Sequence, residues 1–174
     1  MIGKEQTVLL SEEAIRNRVK ELGRIISADY AGADEVLLIG VLRGCFIFLA
    51  DLCRELTVPS CVDFIAVSSY EDKTTPGCVK LIMDNRIDVT GKHVLIIDDI
   101  LDSGHTMLYL RKHFGARDPA SLKTCVLLRK PEGLEEGVQI DYFGFDIPDL
   151  WVFGYGLDNI GRLRNLPYIG CVKT

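Results

Sequence analysis

Three short runs in this chain are apolar at nearly every position: Glu35–Val41 (EVLLIGV), His93–Asp98 (HVLIID) and Leu122–Leu128 (LKTCVLL). A strand with one wet face alternates apolar and polar residues; a run that does not alternate is covered on both faces. Helical patterns lie between these runs. Ser11 followed by Glu12 and Glu13 reads as an N-cap with an acidic first turn, and Ile15, Val19, Leu22 and Ile26 then form a stripe. Cys45–Leu56 is a second helical stretch, and His105–Phe114 a third, with Gly115 as its expected C-cap. Strands that alternate with helices build βαβ units, so the expected class is α/β, a central mostly parallel sheet flanked by helices.

Further strands are expected at Cys61–Ser68 and Val79–Met83, with a turn at Gly91-Lys92. From Gln139 onward aromatics, Gly and Pro crowd together, the texture of short strands and loops forming a small cap on the sheet. No repeat, low-complexity stretch or linker divides the chain, so one domain over 1–174 is expected.

Composition narrows the function classes. A net charge of -5 requires no basic face, which argues against a nucleic-acid partner. No apolar run approaches the ~20 residues that span a bilayer, and MIGKEQTVLLSEE lacks the layout of a signal peptide. A cytoplasmic protein with no membrane partner is expected. The six cysteines (45, 53, 61, 78, 125 and 171) show neither metal-cluster spacing nor a disulfide framework, and most of them, among Val, Leu and Phe, read as small buried hydrophobes.

The chemistry concentrates in VLIIDDILDSGHTM, residues 94–107. Carboxylates beside a buried apolar run are costly unless their charge is used, and three exceed what one helix cap needs. Ligands of open α/β sheets bind at the carboxyl ends of the strands. Asp98 and Asp99 stand where strand 93–98 should end, and Asp102 to Thr106 turn into the next helix. Amides in such a turn cradle an anion, with Gly104 permitting the tight backbone and Ser103 and Thr106 offering hydroxyls. A sugar phosphate satisfies both the carboxylates and the cradle. A nucleotide P-loop is excluded, since G-x-x-x-x-G-K-[ST] is absent.

This segment resembles the phosphoribosyl-diphosphate motif of type I phosphoribosyltransferases. LRG at 42–44, VDFIAVSSY at 62–70, LLRKP at 127–131, and FGFDIPDLWVFGYGLD at 143–158 followed by Arg164 resemble the hypoxanthine-guanine phosphoribosyltransferase family, above all its short bacterial members. The likeness covers nearly the whole chain. It implies the type I phosphoribosyltransferase fold, with a cap from residues 1–10 and 139–174 and a mobile lid over about 68–80. It also implies transfer of the phosphoribosyl group from phosphoribosyl diphosphate to N9 of a 6-oxopurine, in a dimer or tetramer.

Residue by residue, the resemblance makes Asp102 the general base near purine N7 and Ser103, Gly104, His105 and Thr106 the 5'-phosphate loop. Asp98 and Asp99 become the acidic pair near the ribose hydroxyls, bearing magnesium directly or through water. Leu42, Arg43 and Gly44 match the pyrophosphate loop, with a cis peptide before Arg43, and Ser69 and Tyr70 open the lid. Lys130 matches the contact to the 6-oxo group, Trp151 the stacking aromatic, Val152 a base contact through its backbone, Asp158 a further base-side residue and second magnesium site, and Arg164 a further pyrophosphate contact.

Many relatives carry Glu where this chain has Asp98, and its shorter reach puts direct metal contact in doubt. His105 either adds a phosphate contact or only exposes its ring. By residue type alone, Lys130 before Pro131 also fits a solvated loop end, and Trp151 also fits a core. Two other functions use the same scaffold: a regulator that senses phosphoribosyl diphosphate and binds nucleic acid, and a transferase for another base. The complete acid set with Lys130 and Trp151 weighs against the first, and the aromatic C-terminal segment against adenine or a pyrimidine.

Overall fold

The computed structural model describes residues 6–70 and 78–172. In chain order the elements are β1 (Gln6–Leu10), α1 (Glu12–Asp29), β2 (Val36–Leu42), α2 (Phe46–Glu55), β3 (Ser60–Tyr70), β4 (Cys78–Met83), β5 (His93–Leu101), α3 (His105–Gly115), β6 (Ser121–Arg129), a 3-10 turn at Pro131–Gly133, β7 (Tyr142–Asp146), β8 (Trp151–Phe153) and β9 (Ile169–Val172).

The main sheet has the order β4-β3-β2-β5-β6-β7. All its pairings are parallel except β3 with β4. Its central strands are apolar at successive positions because each face has a cover. Leu38, Leu95, Ile97, Cys125 and Leu127 pack with the stripe Ile15, Val19, Leu22 and Ile26 of α1 and with Phe48 and Leu52 of α2. The intervening Leu37, Ile39, Val94, Ile96 and Val126 pack with Met107, Leu110 and Phe114 of α3. The Ser11 hydroxyl accepts from the Ala14 amide at 3.2 Å, so the predicted cap of α1 is formed.

The structure departs from the expected boundaries in three places. β5 does not stop at Asp98; Ile100 and Leu101 still pair with Leu128 and Arg129 of β6, so Asp98 and Asp99 lie inside the last turns of the ladder. Gly115 ends α3 from within, and the cap is Ala116 in a right-handed conformation. There the Ala116 and Arg117 amides donate back to Lys112 and Phe114, so no left-handed residue is required. Within the stretch expected as cap, β7 extends the main sheet alongside β6. A separate antiparallel sheet, β1-β9-β8, joins the first strand to the last two.

This topology sets the site. β2, β5 and β6 are parallel neighbours, so the segments following Leu42, Leu101 and Arg129 all emerge at one edge.

Candidate active site

Asp98 and Asp99 are built into β5. The Asp99 amide donates to Asp98 Oδ1 at 2.9 Å, and the Ile100 amide donates to Asp99 Oδ1 at 3.0 Å. Burial first, and then the charge of Asp99, pushes the Asp98 carboxyl well above the usual aspartate range. Burial also raises Asp99, against the amides it accepts from and the more distant Arg164 guanidinium. Gly44 lies directly against the Asp99 carboxylate; any Cβ there would overlap Oδ2. The absence of a side chain therefore lets the 42–44 loop close on the acidic pair. The Leu42–Arg43 peptide is cis, as the resemblance implied, and Arg43 is exposed at the loop's surface.

After Leu101 the chain turns through Asp102, Ser103 and Gly104 into α3. Gly104 sits at φ 92°, a left-handed conformation that disfavours side chains, and Val138 occupies the space a Cβ would take. The first amides of a helix have no intrahelical acceptor, so this turn has the donors an anion cradle needs. The segment after the 3-10 turn braces it: the Glu135 amide donates to the Ser103 carbonyl at 3.0 Å. His105 Nε2 stands 3.7 Å from Glu135 Oε1, with both side chains partly exposed.

Lys130 follows β6 and is held at its backbone, where its amide donates to the Leu101 carbonyl at 2.9 Å. Its side chain is only 10% exposed, and Nζ donates to Asp102 Oδ2 at 3.0 Å and to Asp149 Oδ1 at 2.9 Å. Burial pulls the ammonium down, but the two carboxylates outweigh it and hold Lys130 above its usual value. Asp149 was not singled out in the sequence; the only signal was its place in the Pro148-Asp149 turn just ahead of Trp151. Trp151 is 54% exposed at the start of β8, while Val152 is buried and paired with Cys171 of β9.

Asp158 and Arg164 form one unit. Arg164 Nη2 donates to Asp158 Oδ1 at 2.5 Å, Nη1 donates to the Gly156 carbonyl at 2.6 Å, and the Gly161 amide donates to Asp158 Oδ2 at 2.6 Å. The structure thus brings Asp102 to Lys130, and Asp99 to Gly44, but engages Asp158 with Arg164. Among the described residues no group of three His, Cys, Asp or Glu stands ready as a metal cage. The expected lid falls largely on residues 71–77, outside the described residues; β3 reaches Tyr70 and β4 resumes opposite it at Cys78.

Comparison with known proteins places this geometry. The family model described as phosphoribosyl transferase domain matches residues 5–160. The chain is 44% identical over 170 residues to the hypoxanthine-guanine phosphoribosyltransferase of Dictyostelium discoideum, covering 95% of this chain and 94% of that protein. It is 47% identical over 167 residues to the hypoxanthine phosphoribosyltransferase of Salmonella typhimurium, with the same coverage of 95% and 94%. Among solved structures, a hypoxanthine-guanine phosphoribosyltransferase of Bacillus anthracis superposes with a TM-score of 0.92 at 43% identity, covering 96% of this chain and 98% of that one. The Trypanosoma cruzi hypoxanthine phosphoribosyltransferase in complex with the product IMP superposes with a TM-score of 0.90 at 42% identity, covering 99% and 96%. The strand-end acids, the glycine-tight loop into α3 and the buried lysine therefore belong to a phosphoribosyltransferase, and the chain is a member of the hypoxanthine(-guanine) phosphoribosyltransferase family.

Proposed function

We propose that this protein transfers the 5-phosphoribosyl group of phosphoribosyl diphosphate to N9 of hypoxanthine or guanine, releasing pyrophosphate. One observation carries the choice of base: a buried ammonium, Lys130, held between Asp102 and Asp149, the latter two residues ahead of Trp151 in the chain. An ammonium has donors and no acceptor. It serves a 6-oxo oxygen and meets a 6-amino group donor to donor.

In the reaction the bond from the ribose anomeric carbon to pyrophosphate breaks as purine N9 attacks. Positive charge develops on the sugar and negative charge on the leaving group. The Ser103–Thr106 turn holds the 5'-phosphate, Asp98 and Asp99 face the ribose hydroxyls, and Arg43 and Arg164 donate to pyrophosphate oxygens. Asp102 manages the proton at purine N7, Trp151 stacks on the base, and the Val152 backbone reads its edge. The lid opened by Ser69 and Tyr70 excludes water.

The donor set fits a divalent cation. Asp98 is buried and Asp99 beside it half-buried, the charge of Asp99 adds to burial in raising Asp98, and both offer hard oxygens. Magnesium takes one or two carboxylates and completes its shell with water and substrate oxygens, so no full protein cage is required. Asp98 and Asp99 would hold it, with Asp158 at a second position, and the ion would neutralise charge building on pyrophosphate. Chelation should abolish turnover and magnesium should restore it; full turnover in metal-free buffer would overturn this assignment.

Among the described residues no helix is long and apolar enough to cross a membrane. Cys45, Cys53, Cys61, Cys125 and Cys171 are free thiols, which supports a reducing, cytoplasmic setting. The related Trypanosoma cruzi enzyme has been studied for its oligomeric state, and a homodimer or homotetramer is the assembly we propose. The decisive experiment on function is a steady-state panel of hypoxanthine, guanine, xanthine, adenine and a pyrimidine. Hypoxanthine or guanine should be used and adenine rejected by roughly 10⁴ or more. Adenine turnover within tenfold of hypoxanthine would sink the reading.

A further inference from the structure

We propose that Asp149 is a positioning residue for Lys130, setting where the ammonium stands when the purine enters. This deepens the proposed function, since it rests on Lys130 as the group that reads the purine 6-position. Lys130 Nζ can make three bonds, and in the structure two go to carboxylates, Asp102 and Asp149. Asp102 is the group the purine N7 engages, so its carboxylate is shared between Lys130 and the base once the base binds. Asp149 has no such competing duty. It remains as the undivided anionic partner while the third donor of Nζ serves the 6-oxo oxygen.

The local backbone is built to hold that partner. The Ile147 amide donates to the Arg129 carbonyl at 2.9 Å, fastening the 147–150 turn to the residue before Lys130. The Leu150 amide donates to the Pro148 carbonyl at 2.8 Å and tightens the turn around Asp149 itself. Asp149 and Trp151 are exposed while Val152 is buried, so the turn and the start of β8 present the carboxylate and the aromatic ring at the surface two residues apart. The ion pair is lopsided: the Asp149 side chain is 79% exposed and the Lys130 side chain only 10%. An ordinary surface pair is worth almost nothing. Here one partner is nearly buried, so losing the other leaves a desolvated ammonium with Asp102 as its one carboxylate.

That predicts a specific kinetic signature. Without Asp149, the ammonium is drawn toward Asp102 and away from the 6-oxo oxygen, so the KM for hypoxanthine rises by about tenfold, the scale of one charge-assisted bond. Once the base is in place the chemistry is unchanged, so kcat stays within about threefold. The KM for phosphoribosyl diphosphate also holds, because among the described residues the Asp149 carboxylate bonds to Lys130 and to no group of the 42–44 loop or the 103–106 turn.

The test is a double-mutant cycle of Asp149→Asn and Lys130→Ala, with Asp149→Glu as the conservative control and thermal melting to verify folding. Support requires three results together. Asp149→Asn raises the KM for hypoxanthine but not for phosphoribosyl diphosphate, it adds no further loss to Lys130→Ala, and Asp149→Glu recovers most of the affinity. If Lys130→Ala impairs 6-oxopurine use while Asp149→Asn leaves the KM unchanged, the positioning role is wrong and the base-reading role of Lys130 stands. An Asp149→Asn loss of equal size with and without Lys130 also overturns the positioning role. If Lys130→Ala itself has no effect, the reading of Lys130 fails and the positioning role falls with it.

Discussion

At the scale of single residues, the site pairs groups whose environments differ sharply. Asp98 is buried and held toward its protonated form, whereas Asp102, four residues on, is largely exposed and bonded to an ammonium. Asp102 is thus oriented by the Lys130 ammonium and open to an incoming base, the access that the proposed general-base role requires. Such groups contribute roughly 10²–10⁴ to rate. Asp102→Asn should lower kcat by that range and leave binding of phosphoribosyl diphosphate largely intact, because the amides of the loop remain. Single-turnover kinetics check this; a drop of less than about tenfold in the chemical step would remove Asp102 from the base role.

At the scale of elements, the proposed anion cradle depends on a junction between β5 and α3 that is braced from outside. Gly104 supplies the left-handed turn, and Val138 and the Glu135 amide press it into place from the segment after the 3-10 turn. Gly104→Ala would incur roughly 1–2 kcal/mol for the backbone conformation and set a Cβ 2.5 Å from Val138 Cγ2. The expected outcome is a rise of tenfold or more in the KM for phosphoribosyl diphosphate with little change for the base. Isothermal titration with each substrate would check it, and equal weakening for both would point to general unfolding of the site instead.

At the scale of the whole molecule, the β3–β4 hairpin is tied to α3 through charged groups. Arg117 donates to Asp84 and to Asn85, and His113 Nε2 lies 3.0 Å from Asp84 Oδ1. Asp63 accepts from the Arg86 and Ile87 amides at 2.6 and 2.8 Å, pinning the connection that follows β4. Burial opposes ionisation of Asp84, but the bonds from Arg117 and His113 win and hold it below the usual 3.8. Its contribution is therefore present above that range and lost as pH falls through its folded value. Asp98 and Asp99 act in the opposite sense, their raised values favouring the folded state as pH falls. Comparing variants isolates the first effect. Asp84→Asn should be less stable than wild type at pH 7 by up to about 1 kcal/mol, given its exposure, and the gap should narrow at a pH below the usual 3.8. Urea unfolding at the two pH values reads it; a gap independent of pH would show that the Asp84 charge contributes nothing.

The unbroken apolar runs determined the two-faced parallel sheet without reference to anything distant, because burial on both faces is a local property of composition. The stripe of α1, the Ser11 cap, the tight Gly104 turn and the cluster of acids were legible for the same reason: each is a rule about residues within one or two turns of each other. Boundaries were decided elsewhere. β5 runs on to Leu101 because β6 offers Leu128 and Arg129 as partners, and β7 leaves the expected cap because β6 has a free edge for it to join. Two features of the site were also beyond local reading. Asp149 lies 19 residues from Lys130, and Asp158 is engaged by Arg164 across a loop. Ion pairs between separate turns depend on where the strands deliver those turns, and strand order is a property of the assembled sheet. The sequence by itself determined which residue types could meet a sugar phosphate; the tie of the 147–150 turn to Arg129 of β6 decided which second carboxylate would hold the lysine.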